Sequence, residues 1–171
     1  TDLHIHTVLS ACAEIEMIPP LIVQRAVELG LGLIGIADHN CAANAAAVIE
    51  AARGTGLSVL PGMEVQTREE VHMLCLFDTL EQVAQWQCTV DAALPGQRNR
   101  EAFFGAQYVD DATGAHRYTE ERLLATSTSL SVEQVAAGVR DLGGLGIPAR
   151  IDRPSSSILS NLGFVPQGLR V

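Results

Sequence analysis

LGLIGIADHN, residues 31–40, runs through apolar residues and glycine and then ends on three polar ones, Asp38, His39 and Asn40. A continuous apolar run of this length reads as a strand buried on both faces, as in a parallel sheet covered by helices. On its N-terminal side, IPPLIVQRAVELGLG (18–32) predicts a helix begun by Pro20, since proline is tolerated in a first turn, and closed by Gly30. On its C-terminal side, Asn40 suits the N-cap of an Ala-rich helix over 42–53, with Gly54 stopping it. Helix, buried strand and helix in succession predict an α/β fold.

The same alternation extends both ways. TDLHIHT at the start predicts a first strand over 3–7. Successive side chains of a strand point to opposite faces, so Asp2, His4 and His6 share one face while Leu3 and Ile5 look inward to packing. LSVLPGMEV (57–65) predicts a third strand and VHMLCLF (71–77) a fourth, joined by the polar QTREE. Thr79 with Gln82, and Ser131 with Gln134, carry the signature of a capping box, opening helices to about Leu94 and over 132–144. Residues 95–102 read as loop, and AQYVDDATGAHRYT (106–119) as a hairpin turning at 112–114, an excursion from the main sheet. LGIPARID (145–152) is a further strand, and SSSILSNLG (155–163) begins a short helix.

Composition narrows the chemistry. At 171 residues and 47% hydrophobic, the chain is most simply one domain with one substantial core. Eleven basic residues face twenty acidic ones, and all eleven are Arg. Without a lysine, phosphate-loop and Schiff-base chemistry are excluded. A net charge of -9 argues against a broad grip on nucleic acid, which needs a basic footprint. There is no run of about 18 apolar residues to span a membrane. No leader is visible, although the chain begins at Thr1 and not Met. Cys12, Cys41, Cys75 and Cys88 form no CxxC pair, so the expectation is a reducing, cytoplasmic compartment without disulfides.

Against this background six polar residues stand inside, or at the ends of, otherwise apolar strands: His4, His6, Asp38, His39, Glu64 and His72. Imidazole and carboxylate are the ligand set of Zn²⁺, Mn²⁺ or Fe²⁺, and strand ends of a parallel α/β barrel converge on one face. A tight reversal centred near 67–69 places Glu64 and His72 roughly opposite each other across an antiparallel pair. His116, beside Arg117 in the hairpin, reads as an ordinary surface histidine.

DLHIHT (2–7), IADHN (36–40), PGMEV (61–65) and VHMLCL (71–76) resemble the first motifs of the PHP (polymerase and histidinol phosphatase) phosphoesterase superfamily. SACAEIEMIPPLIV (10–23) and IPARIDRP (147–154) are similar to a bacterial branch of stand-alone PHP-domain proteins. The resemblance implies one PHP domain over 1–171, a distorted (β/α)7 TIM-like barrel with two or three metal ions at its mouth. The implied activity is hydrolysis of phosphate esters by a metal-activated water. Position by position, His4 and His6 resemble ligands of one ion, Glu64 a bridging carboxylate, His72 a ligand of the second ion and His39 a ligand of a third. Asp38 resembles a catalytic residue that ligates or orients, and Cys12 takes the place where relatives have another His or Asp. Asp2 is expected to orient a ligating imidazole.

The chain departs from the family twice. Arg150 replaces the late histidine of the family, and guanidinium has no lone pair to give a metal. Arg150 is therefore expected to act in catalysis as a fixed charge or, with Arg153, as a phosphate clamp. The family's closing Asp-x-His does not occur before Val171, so the expectation is a C-terminally truncated barrel or one without its terminal ligands. The implied substrate is a small phosphomonoester or nucleotide, with oligonucleotide ends admitted. The competing expectation is a degenerate PHP domain with a structural or regulatory role.

Overall fold

The computed structural model describes residues 1–154, 156–165 and 169. Its centre is the strand on which the sequence turns, β2 (Leu33–Ile36), which pairs in parallel with β1 (Asp2–Ile5) on one side and β3 (Ser58–Leu60) on the other. Gly35 permits the close approach of β1, because a Cβ there would stand 2.6 Å from the Leu3 carbonyl oxygen. The predicted third strand is split at Pro61, which has no N–H to give a ladder, into β3 and β4 (Gly62–Gln66). Register is kept across the break: Leu33 lies opposite Ser58, and beyond β2 His39 lies opposite Glu64 in a parallel bridge.

After β4 the direction changes. β5 (His72–Leu76) runs antiparallel to β4, and β8 (Leu145–Pro148) antiparallel to β5. The strand orders are thus β1-β2-β3 and β4-β5-β8, joined at His39 and Glu64. Among the described residues β1 and β8 do not pair, so the expected (β/α)7 barrel is not closed and the architecture is mixed α/β. The predicted hairpin is present as a separate two-stranded sheet, β6 (Tyr108–Asp110) with β7 (His116–Thr119). Asp111 holds its turn by accepting from the backbone N–H of Thr113 and Ala115 and from the Thr113 hydroxyl.

Helices cover the sheets as amphipathic faces require. α1 (Pro19–Glu28) and α2 (Ala45–Ala51) bury Ile22, Val23, Ala26 and Val48 against Ile34 and Ile36 of β2. α3 (Leu80–Ala93) and α5 (Val132–Asp141) pack on β4 and β5, and both open with the predicted capping boxes. Their contact is close at Gly138, where a Cβ would meet the Trp86 ring at 2.6 Å. α4 (Glu101–Phe104) lies partly in the segment read as loop, and α6 (Ile158–Leu162) closes on left-handed Gly163. No helix among the described residues is long and apolar enough to cross a membrane.

One expectation is corrected at the end of β2. Asn40 does not cap the next helix, whose N-cap is Asn44. It sits instead at φ 51°, a left-handed conformation that asparagine tolerates better than most residues. From there its amide donates to the carbonyls of Leu124 and Thr126, and its oxygen accepts from the Gln66 N–H. The strand end is pinned to two distant segments.

Candidate metal centre

The antiparallel β4–β5 ladder fixes which residues meet. Gln66 lies opposite His72 and Glu64 opposite Leu74. Glu64 and His72 are therefore diagonal neighbours on one face, not the directly opposed pair expected from the sequence, and diagonal neighbours remain within reach of long side chains. The reversal runs one residue later than expected, with Glu70 at φ 61° completing it. His72 Nδ1 stands 3.0 Å from Glu64 Oε1.

The bridge between β2 and β4 brings in the remaining groups. His39 Nδ1 lies 3.3 Å from Glu64 Oε2. β1, parallel to β2, ends at the same level, so His4 Nε2 and His6 Nε2 stand 3.3 and 3.2 Å from that oxygen. Four imidazoles from three strand ends thus surround one carboxylate that is wholly buried. The separations suit ion pairs, yet both Glu64 oxygens and His72 Nδ1 are buried without a hydrogen-bond partner. Burial of such polar atoms is costly unless something satisfies them. A divalent cation fits that role, because each neutral imidazole can turn a lone pair toward the carboxylate in one of its two tautomers.

Cys12 completes a second grouping. Its Sγ lies 3.5 Å from His39 Nε2 and 3.8 Å from His6 Nδ1. Three sets of donor atoms, each within 4.8 Å of one another, follow: His4–His6–Glu64, His39–Glu64–His72 and His6–Cys12–His39. All six sequence-expected ligands therefore come together. The electrostatics agree with the geometry. Burial opposes the charge of Glu64, but His4, His6 and His72 hold its carboxyl well below the usual carboxylate range. Burial likewise opposes charge on His6, and Cys12 and Glu64 override it, raising the imidazole to about 10. The imidazoles of His39 and His6 lower the Cys12 thiol to about 6.

Asp38 is not among these donor sets. Its Oδ1 accepts from the Thr7 N–H and the Ser10 hydroxyl, both at 2.7 Å, and its Oδ2 accepts from the Thr7 hydroxyl at 2.7 Å. Burial, the larger influence, raises its pKa against these hydrogen bonds. Through these hydrogen bonds Asp38 anchors the loop after β1. Ser10 in turn accepts from the His39 N–H at 3.1 Å, tying that loop to the ligand strand. Thr7 and Ser10 escaped the sequence reading; two hydroxyls within the otherwise apolar TVLSAC were the available signal. Asp2 also differs from expectation, since its Oδ1 accepts the backbone N–H of His4 and no imidazole nitrogen.

Arg150 follows Ala149, whose N–H donates to the His72 carbonyl, so its backbone adjoins a ligand strand. Neither Arg150 nor Arg153 forms an ion pair among the described residues. His116 lies apart in the hairpin, 3.4 Å from Asp110 and edge-on to Tyr108.

A cluster of imidazole, carboxylate and thiol donors that could hold metal ions, set at the strand ends of a mixed α/β fold, is the class these features define. The PHP domain family model matches residues 2–137, and the chain belongs to that family. It is 33% identical over 127 residues to a 5'-3' exoribonuclease, Rnm, of Salmonella typhimurium, an alignment covering 71% of this chain and 37% of that protein. Among solved structures it is similar to the lesion-specific endonuclease PfuEndoQ of Pyrococcus furiosus, with a TM-score of 0.69 and 22% identity over 96% of this chain and 37% of that one. An endonuclease Q complex with a 27-mer duplex carrying an abasic lesion gives a TM-score of 0.66 at 21% identity, covering 95% and 39%. The chain spans little more than a third of the length of these relatives.

Proposed function

We propose that this chain is a single PHP domain that hydrolyses phosphate esters, with His4, His6, His39, Glu64, His72 and Cys12 holding divalent ions. The observation that carries the reading is the buried Glu64 carboxylate, ringed by four imidazole nitrogens at 3.0–3.3 Å and left without a hydrogen-bond partner. Divalent ions held there would supply Lewis acidity toward a bound water and toward phosphoryl oxygens.

The chain's own residues supply the frame. Glu64 brings negative charge to a place no solvent reaches, His4 and His72 are held within strands β1 and β5, and His6 and His39 follow within three residues of the ends of β1 and β2. Asp38, through Thr7 and Ser10, sets the loop that carries Cys12 to the rim. Arg150, whose neighbour Ala149 pairs with His72 and which has no acidic partner among the described residues, is the candidate to meet a phosphate, as guanidinium does in bidentate fashion. The exoribonuclease and endonuclease among the relatives weigh against excluding nucleic acid on net charge alone. A terminal nucleotide needs only a local site, not a basic surface, so the proposed substrate is a nucleotide or the end of a nucleic-acid strand.

Arg150 in place of the family histidine also favours a second reading, a degenerate domain that binds one metal or none and has a structural or regulatory role. Purified protein, analysed for metals and assayed on a nucleotide monoester and a short oligoribonucleotide, separates the two. The active reading expects at least one transition metal per chain. Glu64→Gln should then lower turnover by at least about a hundredfold, beyond what loss of an outer-shell partner produces. Metal-dependent turnover on either substrate supports the active reading, whereas metal retained without turnover, or a folded metal-free protein, supports the degenerate one.

A further inference from the structure

α4 is a single turn that buries none of its residues, yet it carries Phe103 and Phe104, two of the chain's four phenylalanines. Phe103 is 77% exposed and Phe104 39%. The turn is nonetheless fastened at its base. The Asn99 side-chain amide donates to the Gly105 carbonyl at 2.8 Å and closes the segment on itself. The Asn99 N–H donates to the Glu121 carbonyl, and the Leu123 N–H to the Gln97 carbonyl. Two aromatic rings are thus held toward water on a fixed stem, which packing among the described residues does not repay.

That stem abuts the donor cluster. Gly105, at φ 87°, lies so close to the loop after β1 that a Cβ on it would stand 3.1 Å from the Ala11 side chain. Ala11 precedes Cys12, whose sulfur reaches His39 at 3.5 Å. The Arg100 guanidinium lies 4.7 Å from the centroid of the Phe103 ring. Arg98 is neutralised by Glu121 at 2.6 Å, whereas Arg100 forms no ion pair among the described residues.

We propose that Phe103, Phe104 and Arg100 form a stacking platform for the bases of a single-stranded nucleic acid whose end reaches the donor cluster. The proposal rests on the phosphoesterase reading above and narrows its substrate to a strand held through its bases. Every base has a π face, so exposed rings accept it whatever its identity. A guanidinium beside the ring adds a cation–π contact or a phosphate partner. The occupant also agrees with the charge. A net charge of -9 denies the chain a broad electrostatic grip, and a platform that works mainly by stacking needs none. A second copy of the chain would bring the same negative charge and is repelled, whereas the unpaired guanidinium favours an anionic partner.

The test titrates the purified full chain into fluorescent hexathymidylate and follows anisotropy, first as purified and then with chelator to stop turnover. Phe103→Ala and Phe104→Ala should each weaken binding about five- to a hundredfold, the range of a lost base stack. Phe103→Trp should bind at least as tightly as the unaltered chain. A control strand of the same length with abasic residues, which keeps the phosphates and lacks the bases, should bind weakly and be indifferent to all three changes. Salt should weaken hexathymidylate binding only shallowly, since few phosphates are contacted. Equal affinity for the two strands, or a Phe103→Ala/Phe104→Ala double variant that binds hexathymidylate unchanged, overturns the inference. So does a dimer of the unaltered chain that the double variant disperses, since a second copy would then cover the rings. Metal-dependent hydrolysis of glycerol phosphate without any effect of the phenylalanines on strand binding removes the platform and keeps the phosphoesterase. Base-dependent binding lost in the variants, in a chain that never turns over, keeps the platform and removes the phosphoesterase.

Discussion

The β4–β5 ladder has two faces made from the same two strands, and they are solved in opposite ways. On one, Met63, Val65, Met73 and Cys75 are wholly buried against Trp86, Val135 and Val139 of the covering helices. On the other, Leu74 and Leu76 pack at one end, while Glu64 and His72 occupy the end nearest the β1 and β2 termini. The first face is stabilised by removing apolar surface from water. The second carries an equally buried carboxylate whose oxygens have no hydrogen-bond partner. A fold that tolerates such a group one residue away from a tightly packed core has a use for it.

The contrast breaks most readily on the packed side. Trp86 is 1% exposed and fills the space that Gly138 leaves free. Trp86→Ala is expected to lower stability by about 3–5 kcal/mol, from lost burial plus the cavity left behind. Denaturant unfolding measures this. Metal content per folded chain should be unchanged, since no ligand touches the indole. A fall in metal content at full folding would show that the two faces are not separable.

The ligand face should behave in the converse way, with stability that depends on metal and not on packing. An ion that binds only the folded chain stabilises it by about 2.7 kcal/mol at a hundred times its Kd. Melting of metal-free protein with increasing zinc or manganese should therefore shift upward with metal concentration. A melting temperature that ignores both ions would make Glu64 a buried charge with no function to explain it.

The sequence disclosed the clustered polar groups better than their arrangement. Capping boxes at Thr79 and Ser131 are local signals, and both are found where expected. Register is not local. The reversal after β4 contains no Gly or Asn, and Glu70 takes the left-handed position, so Glu64 and His72 could not be placed beyond their shared face. Asn40 misled for a related reason: the same side chain caps helices and bridges distant carbonyls, and only tertiary contacts with Leu124 and Thr126 decide between them. Barrel closure was an expectation from resemblance alone, and no local pattern bears on whether β1 and β8 meet.

Asp2 offers the finest test of how far the ligand face extends. Its position on the first strand aligns it with His4 and His6, which suggested a carboxylate holding a ligand ring. In the fold it is exposed, and its hydrogen bond goes to the His4 backbone N–H at 3.2 Å. That bond is long and open to solvent, where water replaces a lost acceptor at little cost. Asp2→Ala is therefore expected to change stability by no more than about 0.5 kcal/mol, as at other surface positions, and to leave metal content as it was. A loss of bound metal in this variant would mean that the carboxylate does reach an imidazole when an ion is present. The ligand face would then continue outward along β1, past the point where the packed face has already given way to solvent.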